Sequence, residues 1–169
     1  MERKASCRVG RLWTPWRMKF ILSDKKGGCV FCQKVAETND RANYLLYRGD
    51  HSFIMLNAYP YNNGHLLVVP YNHSPSLEDL DHATLTEVML LVNRGLAALR
   101  KAMNPQGFNI GANLGAVAGA GITDHVHLHI VPRWQGDNNF LPVIDDTRLI
   151  PECLDDTYQR LLDAGIADR

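Results

Sequence analysis

The 169-residue chain has no apolar stretch long enough to cross a bilayer: its longest aliphatic runs, Leu66 to Val69 and Val88 to Val92, fall far short of the roughly 20 residues a membrane helix needs. No membrane role is expected. It has no surplus of one charge either, with 18 Lys plus Arg against 18 Asp plus Glu. That balance removes the broad basic footprint of a nucleic-acid binder, so any polyanion must be gripped locally. The polar, basic start MERKASCRVGR is followed by no apolar segment, so no secretory signal is read, and four cysteines suit a reducing, cytoplasmic setting. Internal repeats and low-complexity linkers are also missing. At this length the expectation is one domain over 1–169, with an arm at 1–22, a core at 23–150 and a closing helical segment at 151–169.

What is present alternates between strand and helix signals. Arg11 to Leu22 carries Trp13, Trp16 and Phe20, which must pack somewhere, as a covering arm or at an interface. Cys29 to Ala36 reads as one or two helical turns after the SDKKGG turn. Tyr44 to Tyr47 and Ser52 to Leu56 read as strands about Gly49-Asp50, and Gly64 to Pro70 (GHLLVVP) as a third. From Ser76 to Met103 the apolar residues keep a helical period, with a break expected near Asp81. Phe108 to Leu114 and His125 to Pro132 are the last two strands, and Glu152 to Ala164 is a closing helix. Strands in sequence with one packed helix predict an α+β fold on a five-stranded antiparallel sheet.

Three of the seven histidines fall at alternate positions in His125-Val126-His127-Leu128-His129. On a strand this spacing sends Val126, Leu128 and Ile130 to the core and all three imidazoles to the opposite face. A His-rich solvent face is the bland explanation, although Thr, Lys or Glu would serve it equally well. Two chemical readings stand beside it: a catalytic metal held by the histidines with an open position for water, or one imidazole acting as a nucleophile beside another acting as acid or base. The preceding segment GANLGAVAGAG (Gly111 to Gly121) is rich in glycine, which lets backbone N–H groups turn toward an anion. Beside three histidines it favours phosphoryl or nucleotidyl transfer over a plain hairpin connection.

These residues resemble the histidine triad (HIT) superfamily, whose signature of three histidines alternating with apolar residues is complete here as HVHLHIV. LNAYPYNNGHLLVVPYNHSPSLEDL, NLGAVAGAG, HVHLHIVPRWQGDNNF and the N-terminal RLWTPWRMKF are similar to its diadenosine tetraphosphate phosphorylase-like branch, so that the likeness runs from about Arg11 to Ile150. The resemblance implies a HIT-like α+β fold whose sheet continues across a homodimer, with adenosine nucleotides or dinucleoside polyphosphates as ligands. It implies His127 as the nucleophile at the α-phosphorus and His129 as the contact to phosphate oxygens or the leaving group. Asn57 matches the ribose-binding position and His65 a companion histidine beside the nucleotide, while Asn113, Gly119 and Gly121 would line the phosphates. Many members carry a polar side chain where this chain has Gly121, so that Thr123 is the candidate substitute.

Cys29-x-x-Cys32 alone is a weak signal, since paired cysteines also make redox sites or pack in cores. The resemblance adds two partners, because several branches and the related galactose-1-phosphate uridylyltransferases place a structural zinc on such a pair, a following histidine and the first triad histidine. The matching residues are Cys29, Cys32, His73 and His125. His51 and His82 read as surface residues, Cys7 and Cys153 have no evident partner, and Trp134 is read as stacking on a base, meeting another subunit or packing in the core. Phosphorolysis of diadenosine tetraphosphate to ADP and ATP is the favoured reaction. A hydrolase of dinucleoside polyphosphates or purine nucleoside phosphoramidates, a three-histidine metallohydrolase and a non-catalytic nucleotide-binding protein are the competitors.

Overall fold

The structure, a computed structural model, describes residues 28–137 and 150–168. The arm at 1–22, with Trp13 and Trp16, and Cys7 lie outside those residues. Five strands form one antiparallel sheet: β1 (Leu45–Arg48), β2 (Ser52–Leu56), β3 (Leu66–Pro70), β4 (Gly107–Gly111) and β5 (Leu128–Arg133), in the order β1-β2-β3-β5-β4. Among the described residues three α-helices accompany it: α1 (Val30–Ala36), α2 (His82–Met103) and α3 (Leu154–Asp163). The expected fold class and strand count hold.

The break expected near Asp81 is the start of α2, where the Asp81 carboxylate accepts the Thr84 backbone N–H at 2.8 Å and satisfies one of the unpaired amides of the first turn. The helix ends on Asn104 in the left-handed conformation, whose N–H returns to the Arg100 carbonyl. One face of α2 packs on the sheet, and alternation decides what it meets: Ile54 and Leu56 of β2, Leu66 and Val68 of β3, and Leu128 and Ile130 of β5 share a buried cluster with Val88, Leu91, Val92 and Leu99. The intervening residues Phe53, Met55, Leu67 and Val69 face the other way, where α1 covers them with Phe31. Both faces of the central strands are thereby buried, which explains why LLVVP reads as a continuous apolar run.

The turn between β2 and β3 requires Gly64: its φ is +72°, and an added Cβ would stand 2.8 Å from Met103 Sδ. At the far edge, α3 closes over β1 through the Tyr158 hydroxyl, which donates to the Leu45 carbonyl at 2.9 Å. Strand β4 is shorter than expected, ending at Gly111 instead of Leu114, and β5 begins only at Leu128. The cause of the late start lies in β3. Pro70 has no N–H to donate to the ladder, and its carbonyl is taken by the His125 ring at 2.8 Å, while the Val126 N–H leaves for Ser74 at 2.7 Å.

Candidate active site and metal centre

The histidine row is a buried feature of the α1 face. His125 and His127 are buried and His129 is half-buried. Phe31 of α1 meets both, edge-on to His125 at 5.4 Å between ring centres and tilted on His127 at 4.9 Å. Because only His129 lies within β5, the idea of three imidazoles aligned by one strand is corrected: His125 and His127 are placed by side-chain hydrogen bonds ahead of the strand.

Those bonds assign the ring protons. A carbonyl can only accept, so the 2.9 Å contact from His127 Nδ1 to the His125 carbonyl puts the hydrogen on Nδ1 and leaves a lone pair on Nε2. Burial lowers the His127 pKa, outweighing that bond to the His125 carbonyl, so the ring is neutral and its Nε2 is basic near pH 7. His65 shows the opposite tautomer. Its Nδ1 receives the Tyr61 backbone N–H at 3.0 Å and the Asn57 amide at 3.3 Å, so its hydrogen is on Nε2 and is donated to His129 Nδ1 at 2.9 Å. Neutral His129 therefore carries its own hydrogen on Nε2. Burial, with His129 and His127 adding charge repulsion, pushes His65 down to about 3.

His65 is fully buried behind His129, and both of its ring nitrogens are hydrogen-bonded within the protein. Asn57 is also engaged locally, its side-chain oxygen accepting the Tyr59 N–H at 2.9 Å while its amide turns to His65. Tyr61, unmarked in the sequence reading, lies 4.6 Å from His65 and stacks on His129 at 5.5 Å with 21° between planes. Phe31 was missed too. Its only signal was its place between Cys29 and Cys32, as that of Tyr61 was its place four residues before His65.

The glycine segment leaves β4 beside the site, since Gly111 pairs with His129. It forms a short 3-10 turn, Ala116–Ala118, with Val117 fully exposed at its tip, and returns through Ile122, which packs against the Phe31 cluster. Gly119 lies in the left-handed region with φ +90°, but its N–H bonds the Ala116 carbonyl at 3.0 Å and does not point at an anion. The Thr123 hydroxyl donates to the Asp124 carboxylate at 2.7 Å. Asn113 and Gly121 are half-buried in the same loop. Trp134 is anchored through its indole N–H to the Met103 carbonyl at 3.3 Å, a packing role at the end of α2.

A second constellation sits directly behind the first. Cys29, Cys32, His73 and His125 offer ligand atoms that all lie within 4.8 Å of one another. His125 Nδ1 is 3.3 Å from Cys29 Sγ, 3.6 Å from Cys32 Sγ and 3.2 Å from His73 Nδ1. Since its Nε2 hydrogen goes to Pro70, the His125 Nδ1 lone pair faces the two sulfurs, a concentration of electron pairs that a divalent cation resolves. The group can hold a metal ion. His127 and His129 point elsewhere, so the three triad histidines do not converge on one ion as a metallohydrolase would need. His51 and His82 are exposed, as expected, and Cys153 is exposed with its thiol on Asp156 at 3.0 Å.

Sheet, helices and imidazole cluster together define an α+β domain with a histidine constellation on one sheet face. The chain belongs to the HIT family: the HIT domain profile matches residues 38–136. It is 38% identical over 160 residues to the AP-4-A phosphorylase of Mycobacterium tuberculosis, covering 90% of this chain and 82% of that protein. It is 32% identical over 119 residues to adenylylsulfatase HINT3 of Arabidopsis thaliana, covering 70% of this chain and 59% of that one. Among solved structures, a zinc-bound histidine triad family protein of Mycobacterium smegmatis is similar with a TM-score of 0.65 and 28% identity, over 81% of this chain and 92% of that one.

Proposed function

We propose that this protein is a nucleotidyl transferase that cleaves a dinucleoside polyphosphate at the α-phosphorus through a covalent nucleotidyl-His127, and that its reaction is phosphorolysis of diadenosine tetraphosphate to ADP and ATP. The observation that carries the reading is the pair of assigned tautomers: a lone pair on His127 Nε2 and a hydrogen on His129 Nε2, on rings 4.9 Å apart. In the first half-reaction His127 Nε2 forms an N–P bond as the P–O bond to ATP breaks, with His129 donating a hydrogen bond to the departing oxygen. In the second, a phosphate oxygen displaces the imidazole, the N–P bond breaks, and ADP leaves with His127 restored. The likeness to the AP-4-A phosphorylase supports the choice of substrate and acceptor.

Asn57, His65, Asn113, Gly119, Gly121, Thr123 and His129 remain the proposed nucleotide-binding set, with His65 acting from behind His129. For Gly119 and Thr123 this requires the loop to exchange its internal hydrogen bonds for ligand contacts. The same reading takes the ion of the second constellation to be a structural zinc, held by Cys29, Cys32, His73 and His125, a closed set of two thiolates and two imidazoles. When bound it supplies cross-linking of α1 to the segment before β5 and takes no part in the transfer. We also take the working unit to be a homodimer in which the open β4 edge pairs with a second copy.

The test is incubation with diadenosine tetraphosphate, with and without phosphate, resolving AMP, ADP and ATP. ADP and ATP are expected only with phosphate, an AMP adduct is expected on His127, and His127→Ala should lose roughly 10³-fold or more in rate. AMP formation without phosphate would instead favour a hydrolase, the reading to which the likeness to adenylylsulfatase HINT3 lends weight.

A further inference from the structure

We infer that Asn62 and Asn63 are positioning residues for His65: their paired amides clamp the β2–β3 turn from two sides and so hold the donors that fix the proton on the His65 ring. The inference rests on the proposed role of His129 as leaving-group donor, since His65 gives its Nε2 hydrogen to His129 Nδ1 at 2.9 Å. Two hydrogen bonds reach His65 Nδ1, and both depend on the turn. One comes at 3.0 Å from the Tyr61 backbone N–H, which is part of it. The other comes at 3.3 Å from the Asn57 amide, which the turn aims, because the Tyr59 N–H holds the Asn57 side-chain oxygen at 2.9 Å. The His65 N–H returns to the Asn62 carbonyl at 3.2 Å, so a shift of Asn62 is felt at His65 directly.

Each asparagine is anchored on a carboxylate that an arginine neutralises. The Asn62 amide donates to Asp137 at 2.9 Å and to the Pro132 carbonyl at 3.0 Å, and the Arg133 guanidinium grips Asp137 at 2.6 and 2.9 Å. The Asn63 amide donates to Glu152 at 3.1 Å, and Glu152 pairs with Arg160 at 2.8 Å and accepts the Thr157 hydroxyl of α3 at 2.8 Å. Both carboxylates are largely shielded, with side-chain exposures of 9% for Asp137 and 14% for Glu152. The hydrogen bond from Arg133 holds Asp137 down to about 2, so it stays an acceptor across the neutral range. Asn62 thus ties the turn to the end of β5, and Asn63 ties it to α3. The segment PYNNGH, the PRWQGD segment after the histidine row and the closing helix all acquire a part in the site.

The experiment compares Asn62→Ala, Asn63→Ala, Asn63→Asp and the double variant Asn63→Asp/Glu152→Gln in the full chain, by NMR of the ¹⁵N-labelled histidine rings and by steady-state kinetics on diadenosine tetraphosphate. Wild type is expected to carry the His65 proton on Nε2. Each alanine variant should move the His65 Nδ1 signal toward its protonated position, as the second tautomer becomes populated, and lower kcat on the order of fivefold with KM within about twofold. Asn63→Asp sets one carboxylate against another and should do the same. The double variant reverses donor and acceptor, and it should return kcat to within about twofold of wild type and the His65 signals to their wild-type positions. Unchanged His65 signals in both alanine variants would overturn the inference, as would a KM-only effect, which would make the asparagines substrate contacts. If the wild type does not turn over this substrate, the proposed reaction fails, and the NMR comparison still decides the clamp.

Discussion

The carbonyl oxygen of His125 accepts the Nδ1–H of His127 at 2.9 Å, while the ring of the same His125 turns its Nδ1 to the two cysteines and His73. One residue therefore serves two sites: its side chain belongs to the metal-ligating group and its backbone sets the tautomer of the proposed nucleophile. Phe31, between the two cysteines in the chain, packs on the His125 and His127 rings and reinforces the link.

Metal removal tests that link. Purified protein is expected to hold about one zinc per chain by elemental analysis, and Cys32→Ser to hold far less. Loss of the ion should cost on the order of 2 kcal/mol, a fall of roughly 4–8 °C in thermal midpoint for a domain of this size. An unchanged midpoint in chelated protein would show that α1 is held by Phe31 packing alone.

The buried neutral His65 makes stability depend on pH. Its value is about 3 when folded and near 6.5 when unfolded, so between these limits the unfolded chain binds the extra proton. Its contribution is fully present above about pH 6.5 and is lost as pH falls toward 3, at up to about 1.4 kcal/mol per pH unit. Urea unfolding at a series of pH values should show a shallower acid slope for His65→Gln than for wild type.

Ile110 is exposed on β4, which ends the sheet among the described residues, where an edge strand can take a further strand. If two copies pair there, light scattering should give twice the 19.0 kDa chain mass, and Ile110→Asp should return it to the single-chain value. A wild-type mass of one chain would dismiss the dimer.

Gly95 marks the closest approach of α2 to the sheet. An added Cβ would lie 2.9 Å from Ile130 Cδ1 and 3.2 Å from Leu66 Cδ1, both ends of flexible side chains. Gly95→Ala is expected to be near neutral, since a gain of about 1 kcal/mol in helix propensity offsets the local crowding. Gly95→Val should cost roughly 1–3 kcal/mol by denaturant unfolding, because its added methyls drive into β3 and β5.

Although the helix expected from Ser76 starts only after Asp81, periodicity and composition determined the class of fold and the order of strands and helices, and family resemblance the grouping of Cys29, Cys32, His73 and His125. These are legible because alternation and helical period are local, and because a signature such as HVHLHIV ties spacing to chemistry. Only the tertiary structure decided how the histidines are held. Alternation predicted a single strand bearing all three, yet Pro70, 55 positions earlier, takes the His125 ring and ends the ladder at Leu128. The proton positions on His127 and His129 were likewise hidden, since they depend on a carbonyl of one loop and an amide of another meeting the right ring nitrogens. The His127 proton is set by a carbonyl two residues away, but the one on His129 depends on His65, 64 positions earlier, and neither meeting follows from the residue pattern without the folded backbone.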